Sequence, residues 1–599
     1  MIITLVIDMF EKGNDGTAVS AMRFAGELTM RGHTVRVLTC GDPLKNGINP
    51  DTGFDMYYVP ELKVPLATRL AHKQSTLFGK PVRNIVIQAI KGADAVHLYE
   101  PWPLEAMAHK VAKKLNIPVI AAFHIQPENI TYNLGLGWLP FAAHLTYYLL
   151  YLFFYRHYRH IHCPSPFIAA QLRHHGYKAK LHIISNGVHE DFFTKSEKVR
   201  EDDGIFRILM TGRLSPEKRQ DVLIKAVMKS KYKDRIQLYF AGRGPKEKSY
   251  KKQSQKLPHQ PVFGYYEKPE LIKLIHSCDL YVHTSDIEIE GISCMEAFCS
   301  GLVPVISNSK KSATARFALC KESLFRAGDA VDLAKHIDYW IEHEEERKTM
   351  GETYSRNGKR LSLEESVRKM ERVYSTMAQG KNEYYHGRIF KFFARVFYTV
   401  VAIPLLFIWL RLVNGMRIRG INNLWGLKGA LTVCNHVHLL DSVLVSMAFY
   451  PRKLIFPTLP ENLDKLFPGI LVNLLGGVPV PRTLSDMDTF FDEMEVSLTN
   501  GRIVHFFPEG HLKPYNKDIR DFKKGAFYLA ARARVPLVPM TISFLEPHGL
   551  YKFFKRKPLM RLTVGKPIDP VSADIKEDER IRMQIAYQQM VKMGGCAVC

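Results

Sequence analysis

Two groups of residues in this chain have the types and spacing that catalysis needs. The first is Asn435-His436-Val437-His438-Leu439-Leu440-Asp441, in which His436 precedes an aspartate by five positions. An imidazole held by a carboxylate is a general base. It takes a proton from an attacking hydroxyl, and the carboxylate stabilises the imidazolium that forms. His438 also lies in this run, three positions before Asp441. The second group is far upstream. Thr211-Gly212-Arg213-Leu214-Ser215-Pro216-Glu217-Lys218 brackets a glycine turn with two cations, suited to a diphosphate held at a helix start. Glu288 and Glu296 are two carboxylates eight positions apart, able to accept hydrogen bonds from sugar hydroxyls. Gly13-Asn14-Asp15-Gly16-Thr17 follows a first apolar run, where backbone N–H groups can approach a phosphate. Each cluster alone also reads as an ordinary turn or a solvated helix face.

The elements around them must be α/β. Strand-like runs at 2–7, 34–38, 95–98, 119–123 and 182–184 are separated by enough chain for helical crossovers, which predicts a parallel doubly wound sheet over residues 1–195. The pattern restarts at 206–210 and recurs at 236–241, 280–283 and 303–306, predicting a second α/β unit over 196–378. Residues 379–388 are polar and contain glycine, a linker. A third α/β unit then occupies 389–599.

Two apolar segments stand out. Residues 396–410 are uncharged, contain Pro404 and are bordered by Arg395 and Arg411. At ~1.5 Å per residue such a helix falls short of a ~30 Å hydrocarbon core. It reads either as an interfacial helix pair bent at Pro404, within membrane-associated helices over 389–413, or as a buried core helix. Residues 138–155 are rich in Leu, Tyr and Phe and run into Arg156-His157-Tyr158-Arg159-His160. This suits a lipid headgroup boundary, and equally an ordinary helix of the first domain.

Lys plus Arg number 83 against 59 Asp plus Glu, a net charge of +24, which favours an anionic partner. An anionic membrane surface is preferred over nucleic acid, because no zinc finger, RNA-binding signature or basic helix with heptads is present. The nine cysteines are scattered, as in a reducing compartment, and the N-terminal run reads as a buried strand rather than a secretory signal. No metal-binding Asp-x-Asp motif is evident in residues 1–378.

The order of the upstream motifs, G-R-L-x-x-x-K and then E-x7-E, resembles the family-4 retaining glycosyltransferases of the GT-B fold, over about residues 1–378. The resemblance implies two Rossmann-like domains, the second sending its last helix back onto the first, and a nucleotide-sugar donor such as a UDP-hexose. It implies that Arg213 and Lys218 bind the donor diphosphate, with Gly16 approaching from the first domain. Glu288 would face the transferred sugar and Glu296 the ribose, and His124 matches a position near the sugar. No bound cofactor or metal is implied, and the leaving phosphate itself helps deprotonate the acceptor. Arg219 stands where the family has glycine and reads as surface variation. The stretches Phe123-His124-Ile125-Gln126-Pro127-Glu128-Asn129 and Glu288-Ile289-Glu290-Gly291 look like the diacylglycerol glucosyltransferase branch, which works on the cytoplasmic membrane surface.

The downstream motifs resemble the lysophosphatidic acid acyltransferases, over about residues 389–599. After His436 and Asp441 come Gly476-Gly477-Val478-Pro479-Val480-Pro481-Arg482, Phe507-Pro508-Glu509-Gly510 and Val535-Pro536-Leu537-Val538-Pro539, four blocks in family order. The resemblance implies acyl-CoA or acyl carrier protein as acyl donor and acceptor binding by Arg482, Glu509, Gly510 and Lys513. Leu512 stands where the third block has an arginine, so Lys513, one position on, is the nearby cation. The acyl acceptor is then either a lysophospholipid or a sugar-bearing lipid. The alternative is that one half only binds lipid or positions the other; intact motifs in both argue against that.

Overall fold

A computed structural model describes residues 1–11, 16–63, 77–133, 139–194, 203–379, 403–412, 415–459, 461, 472, 476–481, 484–499, 501–549 and 551–594. The chain forms two compact units, Met1–Lys381 and Asn382–Cys599.

The first unit is built on two sheets. Strands β1 (Ile2–Val6), β2 (Thr34–Cys40), β3 (Gly47–Ile48), β4 (Asp55–Val59), β5 (Ala95–Leu98), β6 (Val119–Ala122), β7 (His160–Cys163) and β8 (Lys180–Ile183) lie in the order β3-β4-β2-β1-β5-β6-β7-β8. Every pair is parallel except the β3–β4 edge. The near-continuous apolar runs of β1 and β5 follow from burial on both faces. Helix α1 (Gly16–Met30) buries Ala18, Ala21, Phe24, Ala25 and Leu28 at helical spacing. Helix α2 (Pro140–Phe153) buries Tyr147 but leaves Phe141, Leu145, Tyr148, Leu149 and Phe153 exposed. It is thus a helix of the first domain that also presents an apolar face.

The second sheet contains β9 (Phe206–Thr211), β10 (Ile236–Ala241), β11 (Val262–Gly264), β12 (Leu280–His283), β14 (Pro304–Ser307) and β16 (Leu324–Phe325), in the order β11-β10-β9-β12-β14-β16, all parallel. A short parallel pair, β13 (Ile287–Glu288) and β15 (Lys311–Ser312), stands apart from it. Helix α3 (Ile292–Cys299) follows β13. Helix α4 (Leu363–Ala378) then returns to the first sheet. Leu363, Val367, Met370 and Tyr374 join a core with Ile3, Leu5 and Phe24, and the Tyr374 hydroxyl bonds His97 Nδ1 at 2.8 Å. Ser362 caps this helix, its Oγ accepting from the N–H of Glu365.

The second unit has a five-stranded sheet of β17 (Arg417–Arg419), β18 (Ala430–Cys434), β21 (Ile503–Phe506), β22 (Leu537–Leu545) and β23 (Leu559–Val564), in the order β17-β23-β22-β18-β21. β18 runs parallel to both β21 and β22, and β22–β23 is an antiparallel hairpin. Strands β19 (Phe456–Thr458) and β20 (Gly477–Pro479) form a separate parallel pair. Helix α5 (Ile403–Leu412) precedes the sheet, with Pro404 in its first turn; the rest of the expected membrane segment, 389–402 and 413, and with it the helix expected before Pro404, lies outside the described residues, as does 380–388 of the linker. Helix α6 (Asp441–Phe449) begins seven residues after β18. Among the described residues no helix is long and apolar enough to cross a membrane.

Candidate active sites

In the first unit the motif residues gather around Glu288, at the end of β13. Lys218 Nζ pairs with Glu288 Oε1, and His283 Nε2, from the end of β12, lies 3.2 Å from the same oxygen. Burial alone would raise the Glu288 carboxyl, but the Lys218 ammonium and His283 outweigh it and hold the group well below the usual carboxylate range. Gly212 has φ +145, and a Cβ there would approach only the Lys218 side chain, so the turn leaves the lysine room to reach across. Arg213 is exposed and its guanidinium makes no ion pair among the described residues, so it is open to a phosphate.

Glu296, on α3, is paired with Arg23 of α1 at 2.7 Å. Burial raises its pKa and Arg23 opposes that. A ribose would therefore have to share this carboxylate with Arg23. His124, after β6, is buried between Tyr99 (ring centroids 5.5 Å apart) and His162 (5.4 Å). Burial, with His162 second, pushes its pKa well down, so the ring is neutral, and its Nε2 is buried without a partner. Gly16 opens α1 with free space around its Cα, and Gly13 to Asp15 lie outside the described residues. The carboxylates of Asp8 and Glu100, just after β1 and β5, and of Glu105, on the helix after β5, also cluster here; burial raises Asp8 to about 7 and holds Glu105 well above the usual carboxylate range, which favours shared protons.

Arg219 is not surface variation. Its φ of +57 is the left-handed conformation that glycine adopts freely, which explains the family's glycine. Here ion pairs to Asp286 (2.9 Å) and Asp221 (3.1 Å) hold the turn instead.

Glu290, between the two motif glutamates, accepts from the N–H and Nδ2 of Asn186 at 3.0 and 2.7 Å, and Asn186 Oδ1 accepts from Ser20 Oγ at 2.6 Å. Burial raises the Glu290 pKa to about 7. Below pH 4.5 the acid is protonated folded and unfolded. Between pH 4.5 and 7 the unfolded chain loses this proton first, so the stability it supports is lost as pH rises. Glu290→Gln should therefore flatten the decline in the melting temperature of the first unit across that window, read by calorimetry from pH 4.5 to 7.5; an unchanged decline would show that Glu290 is not its source.

In the second unit, β18, paired on both sides, delivers Asn435 and His436 at its C-terminal end. Asn435 is clamped to β22, exchanging hydrogen bonds with the N–H (2.8 Å) and carbonyl (3.0 Å) of Ile542. His436 Nδ1 lies 2.9 Å from Asp441 Oδ2, which also accepts from the N–H groups of Val437 (2.6 Å) and His438 (2.8 Å). Asp441 is fully buried at the first position of α6, where a negative charge is favoured. Phe507 stacks on the His436 ring with centroids 4.2 Å apart, leaving Nε2 as the free edge. The spacing of five residues works because the aspartate gathers the loop's N–H groups as well as the imidazole.

Glu509 lies beneath this site rather than in it. Its side chain has no exposure, and its oxygens accept from the His436 N–H (3.2 Å), the Arg520 N–H (3.1 Å) and the Arg520 guanidinium. The expected contact with the acyl acceptor is corrected to support of His436: a buried carboxylate saturated by donors has no free edge for substrate. Gly510 is required by φ +80 and by Lys523, whose Cε would sit 2.7 Å from an added Cβ. The Lys513 N–H donates to the His436 carbonyl at 3.0 Å, and its side chain is exposed beside the loop. Arg482 lies outside the described residues.

Arg520 was not visible as a site residue in the sequence. It also bonds the His511 carbonyl at 2.5 Å and His511 Nε2 at 2.7 Å. Arg520→Ala should leave Glu509 buried without its counter-charge, costing about 3 kcal/mol. The expected result is a lower melting temperature of the second unit and acyl transfer down more than about tenfold with sugar transfer intact; an unchanged melting temperature would show the pair to be dispensable.

Residues 14–192 match the sequence model of the Glycosyltransferase Family 4, residues 191–356 that of the Glycosyl transferases group 1, and residues 415–543 that of the Acyltransferase family. Alpha-monoglucosyldiacylglycerol synthase of Streptococcus pneumoniae is 26% identical over 327 residues, covering 51% of this chain and 71% of that protein. Human 1-acyl-sn-glycerol-3-phosphate acyltransferase beta is 34% identical over 119 residues, 19% of this chain and 42% of that protein, so the chain spans less than half of this acyltransferase's length. Sucrose-phosphate synthase from Thermosynechococcus elongatus superposes with a TM-score of 0.50 at 15% identity, covering 63% of this chain and all of that one, a likeness of fold. The chain is thus a transferase in two parts, glycosyltransferase family 4 and group 1 domains in a GT-B arrangement followed by an acyltransferase domain.

Proposed function

We propose that this chain makes membrane glycolipid and phospholipid at two separate active sites. The observation that carries this reading is that both sites retain their charged machinery, Lys218 with Glu288 in one unit and His436 with Asp441 in the other. In the first, a hexose passes with retention from a nucleotide sugar, a UDP-hexose, to a lipid hydroxyl, taken to be that of diacylglycerol. Arg213 and Lys218 stabilise the charge that develops on the departing diphosphate, and that phosphate accepts the acceptor's proton. Glu288 keeps Lys218 in place and faces the sugar, while neutral His124 serves as a hydrogen-bonding group. The likeness to a monoglucosyldiacylglycerol synthase supports a lipid acceptor. We assign residues 1–195 to the acceptor side and 196–378 to the donor side.

In the second, His436 Nε2 removes a proton from the acceptor hydroxyl as that oxygen attacks the thioester of acyl-CoA or acyl carrier protein. Asp441 stabilises the imidazolium, which returns the proton to the leaving thiolate. The acceptor is a lysophospholipid or the glycolipid itself, with Arg482, Gly510 and Lys513 nearest to its headgroup. Both sites would work at the cytoplasmic face of the cell membrane, the chain being peripheral or monotopic. The apolar faces of α2 and α5 and the charge of +24 support an anionic bilayer as the surface. Joining the sites raises the effective concentration of a shared intermediate in one membrane patch.

Purified protein given UDP-hexoses, acyl-CoA and a panel of diacylglycerol, lysophospholipid and glycolipid acceptors should yield a hexosyl lipid and an acylated lipid by mass spectrometry. Hexose transfer to none of these lipid acceptors would contradict the lipid assignment.

A further inference from the structure

The connection between β22 and β23 carries groups that neither active site uses. Residues 551–557 read Tyr-Lys-Phe-Phe-Lys-Arg-Lys, four cations and three aromatic residues without an acid. Phe553 is 81% exposed, and Lys552 and Arg556 are exposed beside it. The segment is nonetheless fixed in place. The Tyr551 hydroxyl bonds the carbonyls of Leu412 (2.8 Å) and Arg411 (3.0 Å), the last two residues of α5. Gly415, at φ +62, permits this approach, since a Cβ there would lie 3.0 Å from the Tyr551 ring. The clamp therefore sets Phe553 and its cations beside α5, whose Leu405, Ile408, Trp409 and Leu412 are exposed.

The far end of the segment reaches the catalytic loop. Lys557 Nζ stands 5.7 Å over the Tyr515 ring, and that ring meets the edge of His438 with centroids 5.7 Å apart. Burial first, then Lys557 and Lys555, lowers the His438 pKa against the pull of Asp441. Leu439 of the same loop is 83% exposed.

We infer that the hairpin tip 551–557, clamped to the end of α5 by Tyr551, is a docking element for an anionic lipid bilayer and seats the His436 loop at headgroup level. Exposed aromatic and aliphatic side chains enter the boundary between headgroups and acyl chains, while lysine and arginine around them pair with anionic headgroups. An acidic protein partner would answer the cations but leave Phe553, Trp409 and Leu412 in water. The purpose assigned to the tip rests on the acyltransferase reading, but the contact itself does not.

The test is hydrogen–deuterium exchange of the full-length protein with phosphatidylglycerol vesicles, with phosphatidylcholine vesicles and without lipid. Peptides covering 551–557 should exchange about tenfold more slowly on phosphatidylglycerol and be unchanged on phosphatidylcholine. Lys552→Gln/Arg556→Gln should need about 30-fold more anionic lipid for the same protection, two cations having been removed. The same variant should acylate a short-chain monomeric acceptor at the wild-type rate and a vesicle-held one more slowly. Exchange at 551–557 that ignores phosphatidylglycerol, or that slows equally on phosphatidylcholine, overturns the inference. Protection without any acyl transfer by the wild type would instead sink the acyltransferase reading and leave the docking element standing.

Discussion

Replacing His436 with alanine is expected to lower acyl transfer about 10³-fold and leave sugar transfer at the wild-type rate. General-base catalysis is worth about 10²- to 10⁴-fold, and His436 is the imidazole held by the buried Asp441 with Nε2 turned outward. Asp441 offers a finer test. Its Oδ2 takes all three donors, from His436, Val437 and His438, while Oδ1 is buried without a partner. In Asp441→Asn the amide oxygen can keep those three bonds and the amide nitrogen can occupy the Oδ1 position. The loop geometry should survive, and what is lost is the charge opposite the imidazolium. Asp441→Asn should therefore cost less than His436→Ala, about 10²-fold, whereas Asp441→Ala, which also releases the loop, should match or exceed the histidine variant. Steady-state kinetics on the three variants reads this order. Equal losses for Asn and Ala would mean that charge alone matters and the gathered N–H groups do not.

The second large effect is expected at Lys218 and Glu288. Lys218→Met should lower kcat for sugar transfer about 10²- to 10³-fold, the range seen when a group that stabilises developing charge is removed. Glu288→Gln should fall by a similar factor. Each single variant also strands a charge in a poorly solvated site, since the side chains of Lys218 and Glu288 are only 19% and 12% exposed. The double variant Lys218→Met/Glu288→Gln separates the two causes. If the pair is catalytic, the double variant recovers the melting temperature lost by the single ones and stays inactive. If the pair only holds the fold, sugar transfer returns together with stability.

Much of this architecture was readable from hydrophobic pattern. The runs at β1, β5, β9 and β12 are short and largely apolar, with enough chain between neighbouring runs for helical crossovers, and the parallel sheets follow from that. Strands β4 and β7 are not legible in that pattern, for different reasons. The sequence of β4, Asp-Met-Tyr-Tyr-Val, is half polar because it lies next to the sheet edge. In β7, His160 and His162 look like surface residues, yet His162 is buried and bonds the Ile184 carbonyl at 2.8 Å. The reactive groups of both sites were legible as motifs, while their partners were not. Arg23 pairs with Glu296 across 273 positions, and Arg520 reaches Glu509 from a loop with no periodicity. His283, at the end of the strand that closes five positions before Glu288, carried a signal that could have been used. Arg219 shows the converse: the family's glycine marks a left-handed residue, and the conformation persists when glycine does not.

Two independent lipid-directed transfer sites on one chain are tested most directly by a single reaction containing UDP-hexose, acyl-CoA, diacylglycerol and a lysophospholipid, run with wild type, Glu288→Gln and His436→Ala and resolved by mass spectrometry. The wild type should form both a hexosyl-diacylglycerol and a newly acylated lipid. Glu288→Gln should lose only the first product and His436→Ala only the second. Loss of both products in either variant, or survival of the hexosyl lipid in Glu288→Gln at the wild-type rate, would contradict this reading.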